Sequence, residues 1–343
     1  MSAPVERRAF YDRLAARSAA PLWEVLAQLV TPEPRSPCRP HRWRYAEMRE
    51  LLMEAGRLVT AKEAERRVLI LENPGMPGEA RITTSLYAGL QLVLPGEVAP
   101  AHRHSQSALR FVLESEGAHT TVDGERIPMW PGDFIITPQH AWHDHGNETS
   151  APVIWLDGLD IPIVKALDAS FAEHWPEDEQ PVTRPVGHSR DHFARGLVPV
   201  DWKRSGAASP VVHYPYAEAR EALARVAATD EPDPCLGIRM RYVDPTSGDW
   251  AMPTIGPFLQ WMPAGFESAP YRSTDATVYV AFEGRGRTRV GEVEFDWEPK
   301  DVFVVPSWWP VQHVVAEEAV LFGFSDRPVQ EKLGLFRERR GNR

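Results

Sequence analysis

The segment HRH (102–104), with His143 39 residues further along the chain, is the most informative part of this sequence. Side chains alternate with a period of two along a β-strand, so His102 and His104 are expected on the same face. A third histidine on a neighbouring strand would complete one face of a metal's coordination sphere. Three protein ligands leave coordination positions open, which favours a catalytic metal over a closed structural one.

The residues around these histidines strengthen the prediction. Gly96 precedes the first histidine with five residues between them, and Gly132 and Pro138 are likewise separated by five residues. Asn147 follows the third histidine after three intervening residues. This spacing resembles the two motifs of cupins, whose fold is a double-stranded β-helix. The alternative is that the three histidines are ordinary surface or core residues.

The composition excludes several classes of protein. The chain has 343 residues, of which 43% are hydrophobic and 25% charged, as is typical of soluble globular proteins. A formal net charge of −10 argues against nucleic acid as a partner. No stretch approaches the roughly 18 uninterrupted apolar residues of a membrane span, and no signal peptide is evident. Cys38 and Cys235 lie far apart, so we expect no disulfide framework and a cytoplasmic location.

The chain is predicted to consist of four parts. Residues 1–65 form a helical segment, in which Pro21 starts a second helix. Residues 66–165 form an all-β barrel with the metal site, because short apolar runs alternate there with Gly, Pro and Asn turn signals. Residues 166–235 connect this barrel, through a short helix, to a second barrel at 236–343, which ends in a helical or frayed tail.

The two β regions resemble each other, which predicts a duplicated barrel. The segment PGDFIITP (131–138) aligns with PKDVFVVP (299–306). The alignment places the histidines opposite residues of the second copy as follows: His102 opposite Tyr271, His104 opposite Ser273, His143 opposite Val311 and His145 opposite His313. The second barrel therefore lacks the metal ligands, and we expect one metal site per chain.

The residues after the HRH segment indicate an anionic ligand. Many cupins place a glutamate there, but residues 105–110 contain no carboxylate and include Arg110. Three neutral histidines leave a divalent metal its full charge, so a nearby cation is useful only if the ligand is negative. Arg110 is thus a candidate partner for a substrate carboxylate. The alternative is a structural arginine that pairs with an acid such as Glu125.

These features together resemble the gentisate 1,2-dioxygenase family, including its relatives that cleave salicylates and 1-hydroxy-2-naphthoate. The resemblance spans almost the whole chain and rests chiefly on the following segments: AERRVLILENPG (64–75), LYAGLQLVLPGEVAPAHRHSQSALRFVLES (86–115), GDFIITP (132–138), WHDHGN (142–147) and WLDGLDIP (155–162). It implies a bicupin, commonly a homotetramer, with one Fe(II) held by three histidines. Its members open an aromatic ring that carries adjacent carboxylate and hydroxyl groups, using O2.

The resemblance also implies roles for individual residues. His102, His104 and His143 would hold iron, and the substrate would chelate it through its carboxylate and ortho-hydroxyl group. The other positions that match the family's pocket are Arg66 or Arg67, Gln91 and Arg110 near the carboxylate and O2, His145 at the hydroxyl or an oxygen atom, and Asp157 as an orienting acceptor. Gly89 would leave room for the ring or, alternatively, mark a β-bulge. Ordinary strand-end hydrogen bonding is the alternative for each of the others.

Some residues depart from the family pattern and leave the substrate open. His140 stands where the family commonly has an aromatic residue before the third ligand, and it could line the pocket near the far edge of the ring. The substrate could be gentisate, salicylate, 5-nitrosalicylate or 1-hydroxy-2-naphthoate. Two other classes compete: a cupin isomerase or decarboxylase that uses Mn or Zn without O2, and a non-catalytic sensor of aromatic acids.

Overall fold

The structure is a computed structural model that describes residues 3–341, and it divides into two compact units. The first unit extends to Arg35 and contains helices α1 (Ala3–Ala15) and α2 (Leu22–Leu29). Pro21 is the N-cap of α2, as predicted. Within this unit, Trp23 Nε1 donates a hydrogen bond to Tyr11 Oη, which donates in turn to Glu24.

The second unit, from Ser36 onward, begins with a short strand and two helices. These are β1 (His41–Trp43), α3 (Tyr45–Leu58) and α4 (Ala61–Ala64). A capping box at Thr60 and Glu63 starts α4, since each side chain accepts a hydrogen bond from the other residue's backbone N–H. Strand β1 was not predicted, and it pairs with a strand of the second barrel.

The first barrel is built from two antiparallel sheets. Its strands are β2 (Val68–Ile70), β3 (Tyr87–Val93), β4 (Val98–His104), β5 (Ala108–Glu114), β6 (His119–Val122), β7 (Glu125–Pro128), β8 (Phe134–Thr137), β9 (His143–Gly146), β10 (Val153–Leu159), β11 (Ala172–His174) and β12 (His213–Tyr214). The sheet orders are β12-β8-β5-β10-β3-β2 and β11-β4-β9-β6-β7. Helix α5 (Ile161–Ala166) ends the predicted barrel segment, and helices α6 (His188–Phe193) and α7 (Tyr216–Ala227) belong to the connecting region. The short helix predicted in this region is therefore present, although β11 and β12 of the same region join the first barrel.

The second barrel repeats this arrangement with β13 to β22. Its strands are β13 (Ile238–Arg241), β14 (Gly256–Met262), β15 (Tyr271–Ser273), β16 (Thr277–Glu283), β17 (Gly286–Val290), β18 (Val293–Trp297), β19 (Val302–Val305), β20 (Val311–Val315), β21 (Ala319–Ser325) and β22 (Glu338–Arg340), with α8 (Arg327–Lys332) before the last strand. The sheet orders are β1-β19-β16-β21-β14-β13 and β18-β17-β20-β15-β22. The prediction of a helical or frayed tail is wrong, because β22 pairs with β15 and satisfies its backbone groups.

Strand register confirms the predicted duplication residue by residue. His102 pairs with His143 in the first barrel, and their aligned counterparts Tyr271 and Val311 pair in the second. Both copies also carry a register irregularity at the same place. It lies between β5 and β10 in the first barrel and between β16 and β21 in the second. A shared register means that side chains at aligned positions face the same side of the sheet.

A continuous apolar core joins the two barrels. Phe111 of the first barrel and Phe322 of the second are fully buried, and their rings stack with centroids 4.1 Å apart. Burying one such ring contributes about 2 kcal/mol. Cys38 and Cys235 are both buried and free, as expected. None of the described helices is both long and apolar enough to cross a membrane.

Candidate metal centre

The structure brings the three predicted histidines together. His102 and His104 project from the end of β4 and His143 from β9, which is hydrogen-bonded to it. The centroid of the His143 ring lies 4.1 Å from that of His102 and 4.9 Å from that of His104. One ring nitrogen from each residue lies within 4.8 Å of the others. The group is therefore a histidine triad that can bind a metal ion.

Backbone carbonyl groups hold two of the rings in a ligand-ready orientation. His104 Nδ1 lies 2.9 Å from the carbonyl oxygen of Gln106, and His143 Nδ1 lies 3.0 Å from that of Ala141. A ring nitrogen that faces a carbonyl carries the proton, so the Nε2 lone pair of each ring is free for a metal. The donor set thus fits a metal that prefers neutral imidazole ligands.

Burial keeps the three rings neutral. It lowers the pKa of His102 to about 2 and that of His104 to about 4, and it holds the pKa of His143 well below its usual range. The positive charge of Arg66 adds to the effect on His102. Metal binding near neutral pH therefore requires no proton release from these side chains.

Arg110 lies buried on β5 beside the triad, and its acidic partner is Asp157 rather than Glu125. Arg110 Nε is 3.8 Å from Asp157 Oδ1, which also accepts a 2.8 Å hydrogen bond from Trp155 Nε1. A second nitrogen of Arg110 donates to Thr137 Oγ1. Burial raises the pKa of Asp157 to about 6, and Arg110 opposes that rise. Glu125 instead accepts hydrogen bonds from Ser189.

The structure separates the two candidate arginines that precede β2. The guanidinium group of Arg66 contacts the ring of His102 and the carbonyl oxygen of Pro100. Burial and the charge of Arg110 lower the pKa of Arg66 to about 10. Arg67 points away and forms a bidentate ion pair with Glu97 at 2.7 and 2.8 Å, while also donating to the carbonyl of Val59. Arg67 is thus not brought into the site, because its donors are used elsewhere.

Two other predicted residues carry buried polar atoms without partners. His145 and Gln91 are 1% and 3% exposed, and neither His145 Nδ1 nor Gln91 Nε2 has a hydrogen-bond partner among the described residues. The His145 ring centroid is 5.8 Å from that of His143, on the same strand face. A buried polar atom without a partner costs about 1–3 kcal/mol, so such atoms are expected where a ligand satisfies them.

Gly89 sits opposite Asp157 in a continuous stretch of β3 pairing, so the β-bulge alternative is wrong. A Cβ atom at this position would lie 2.4 Å from Val68 Cγ1 and 3.0 Å from Tyr87 Oη. Glycine therefore allows β2 and Tyr87 to approach closely. Tyr87 was not predicted, although its place two residues before Gly89 and four before Gln91 puts all three on one strand face.

His140 is placed outside this group. It adopts a positive φ of 63°, and its side chain is exposed and lies 6.0 Å from the Phe171 ring, measured between centroids. It lines an outer cavity with residues of the connecting region, and its backbone N–H donates a hydrogen bond to the carbonyl of His104 on the metal-binding strand. The expectation that its side chain lines the pocket near the substrate ring has no support from this position.

Aromatic rings occupy the same region of the second barrel, where neither the arginine nor the carboxylate is present. The aligned registers place Phe258 opposite Gly323 where the first barrel has Gly89 opposite Asp157. A Cβ atom on Gly323 would lie 2.3 Å from the Phe258 ring, so the phenyl group fills the space of the carboxylate. Tyr279 occupies the position in the second barrel that Arg110 occupies in the first.

This chain matches a known family model and is similar to several known proteins. A family model described as a cupin domain matches residues 89–159. Gentisate 1,2 dioxygenase 1 of Aquipseudomonas alcaligenes is 57% identical over 98% of this chain and 96% of its own length. 5-Aminosalicylate 1,2-dioxygenase of a Comamonas species is 37% identical over 96% of this chain and 89% of its own.

Solved structures show the same fold. The crystal structure of salicylate 1,2-dioxygenase from Pseudaminobacter salicylatoxidans superposes with a TM-score of 0.91 at 35% identity, covering 98% of this chain and 97% of that one. A mutant of that enzyme in complex with gentisate gives a TM-score of 0.92 at 35% identity and covers 98% of this chain and 96% of that chain. The predicted duplicated cupin architecture is thereby confirmed.

Proposed function

Because this chain belongs to the gentisate 1,2-dioxygenase family, we propose that it opens the ring of gentisate or a related 5-substituted salicylate with O2 at an Fe(II) ion. His102, His104 and His143 would hold the iron. The ring would open between the carbon that bears the carboxylate and the adjacent hydroxylated carbon. When bound, iron would supply open coordination positions for both reactants and a path by which electron density passes from the chelated aromatic ring to O2.

The observation that carries this proposal is the charge pattern at the triad. The described residues around the three neutral rings include the guanidinium groups of Arg66 and Arg110, and no carboxylate joins the ligand group. Even with Asp157 beside Arg110, a divalent metal and two guanidinium groups leave an excess of positive charge, which favours an anionic ligand. A hydroxybenzoate that chelates through its carboxylate and phenolate oxygens satisfies this requirement.

Each neighbouring residue then has a definite task. Arg110 binds the substrate carboxylate, and Asp157 holds the Arg110 guanidinium in place. Arg66 adds positive charge beside His102. His145 and Gln91, whose buried nitrogens have no partner among the described residues, donate to the substrate hydroxyl group and to an oxygen atom in the pocket. Gly89 and Tyr87 form the wall beside the ring.

Gentisate is the first substrate to test, since the relative at 57% identity is a gentisate dioxygenase. Salicylate, 5-nitrosalicylate and 1-hydroxy-2-naphthoate remain alternatives with the same chemistry. A role in aromatic catabolism, a cytoplasmic location and a homotetrameric state are further parts of the proposal. The free, buried cysteines support the location, and the family resemblance supports the tetramer.

Oxygen uptake tests the proposal directly. We expect anaerobically Fe(II)-loaded protein to consume one O2 per molecule of gentisate lost, and to turn over the other three acids more slowly. The same protein loaded with Zn(II) is the control and should consume none. If iron-retaining protein takes up no O2 with any of the four acids, the proposal fails and a non-oxidative cupin activity becomes the better account.

The two adjacent arginines allow a matched test of the substrate site. We expect Arg66→Gln to raise KM for gentisate about tenfold or more, because the anionic substrate loses a nearby positive charge, and two unit charges about 4 Å apart near a protein surface attract each other by roughly 4 kcal/mol. Arg67→Gln should leave KM unchanged and instead lower the free energy of unfolding by on the order of 2 kcal/mol, since Glu97 loses its bidentate partner. Steady-state kinetics and denaturant unfolding separate the two effects, and a KM increase in Arg67→Gln alone would reverse the assignment.

A further inference from the structure

A second group of potential ligands lies on the five-stranded sheet of the first barrel, facing away from the triad. It consists of His119 on β6, Asp144 on β9 and Glu179 in the segment after β11. One ligand atom from each residue lies within 4.8 Å of the others, the same limit that the triad meets. His119 Nε2 and Glu179 Oε1 are 3.9 Å apart. We call these three residues the outer cluster.

Strand alternation explains why the outer cluster is separate from the triad. His143 and His145 of β9 share one face, so Asp144 and Gly146 face the other. His119 pairs directly with Gly146 across the two strands. A Cβ atom on Gly146 would lie 2.5 Å from His119 Cε1 and 2.7 Å from Nε2. Glycine is thus required there for the imidazole ring to lie flat over β9 and reach Asp144.

Two buried atoms of the outer cluster have no partner among the described residues. His119 is 5% exposed and Asp144 is 1% exposed, yet His119 Nε2 and Asp144 Oδ1 make no hydrogen bond to any residue that the structure describes. Leaving either atom unsatisfied is unfavourable, because each has lost its hydrogen bonds to water. The other carboxylate oxygen of Asp144 accepts a 3.0 Å hydrogen bond from the backbone N–H of Gln180, which orients the carboxylate. A cation bound between the three residues satisfies both unpartnered atoms.

We propose that the outer cluster binds a divalent transition-metal ion such as Zn²⁺ or Co²⁺. One imidazole and two carboxylates are a donor set typical of these ions, whereas Mg²⁺ and Ca²⁺ prefer oxygen ligands alone. The two carboxylates neutralise the charge of the ion. Arg126, which lies 3.4 Å from Glu179 Oε1, keeps an ion pair with Glu148 at 3.2 Å when Glu179 turns to the metal.

The bound ion cross-links three segments of the first barrel. Asp144 immediately follows His143, so the ion sits behind the strand that carries a ligand of the triad. Glu179 belongs to a connecting segment that also contacts the barrel through the hydrogen bonds of Gln180 with Asp144, Thr121 and Gly124. An ion that binds only the folded chain stabilises it by RT ln(1 + c/Kd), where c is the ion concentration, so the stabilisation grows with the logarithm of that concentration once it exceeds Kd. The outer cluster is therefore a stabilising site rather than a catalytic one.

The test counts bound Co²⁺ by equilibrium dialysis of the full chain. We expect metal-free protein to bind two equivalents, one at the triad and one at the outer cluster. His104→Ala should retain one equivalent, and His104→Ala combined with Glu179→Gln should bind Co²⁺ at least about tenfold more weakly. Co²⁺ should also raise the Tm of His104→Ala but not that of the double variant.

Glu177→Gln is the matched control, because this exposed carboxylate lies two residues away and outside the cluster. Combined with His104→Ala, it should bind Co²⁺ as tightly as His104→Ala alone. The inference is overturned if His104→Ala binds no Co²⁺, or if Glu179→Gln and Glu177→Gln bind it equally well. The inference does not depend on the proposed reaction, since the iron-loaded Glu179→Gln protein should keep its oxygen uptake.

Discussion

Replacing His104 with alanine is expected to abolish iron retention and to lower oxygen uptake on the order of 10³-fold or more, while the fold stays intact. His104 is one of three neutral ligands, and two imidazoles bind Fe(II) much more weakly than three. The barrel itself does not depend on the metal, because its core is built from apolar residues such as Phe111 and Phe134, which are fully buried. The measurements are iron content, oxygen uptake with gentisate and thermal unfolding.

His192→Ala serves as the control, since His192 is exposed on α6 and belongs to neither histidine cluster. It should retain both iron and activity. Carrying Glu179→Gln in every protein of the comparison keeps the outer cluster from contributing metal. An unfolded His104→Ala protein would contradict the claim that the barrel is independent of the metal. Full activity in that variant would remove His104 from the proposed ligand set.

Replacing Arg110 with alanine is expected to lower kcat/KM by roughly 30- to 4,000-fold, which corresponds to about 2–5 kcal/mol for removing one partner of a buried charge pair. The change should appear mainly in KM, because the carboxylate is bound in both the ground state and the transition state. The kcat/KM of Arg110→Lys should lie between those of the wild-type protein and Arg110→Ala, since lysine keeps the positive charge but lacks the planar guanidinium group. Steady-state kinetics with gentisate measure both constants.

Loss of Arg110 also leaves Asp157 buried beside Trp155 without its cation, and this effect must be separated from substrate binding. Arg110→Ala combined with Asp157→Asn removes the unpaired carboxylate. The double variant should regain the stability that Arg110→Ala loses. Its KM for gentisate should stay as high as that of Arg110→Ala. A defect confined to kcat would assign Arg110 to transition-state stabilisation. An unchanged KM and kcat would leave it a purely structural residue of the barrel.

Much of the metal centre was predictable because its signals are local. The i, i+2 spacing of His102 and His104 determines that they share a strand face, and flanking glycines and prolines mark the turns that bring His143 alongside. The repeat was predictable for a related reason. Aligned turns preserve strand register, so the pairing of Tyr271 with Val311 reproduces that of His102 with His143.

The neighbours of the triad were harder to assign from sequence. Arg66 and Arg67 both precede the first residue of β2, so the alternation of that strand does not establish which one faces the metal. The partner of Arg110 depends on the register between β5 and β10, which no local pattern contains. His140 occupies a turn with positive φ, and this turns its side chain away from the interior.

The sequence alone determined the fold class, the duplication and the identity of the three metal-binding histidines. It could do so because strand periodicity and turn formation depend on residues that are close in the chain. The tertiary structure decided which arginine lies against His102, which carboxylate faces Arg110, and that His119, Asp144 and Glu179 meet at one point. Those contacts join segments that are distant in sequence, and only the pairing and packing of whole strands determines how such segments align.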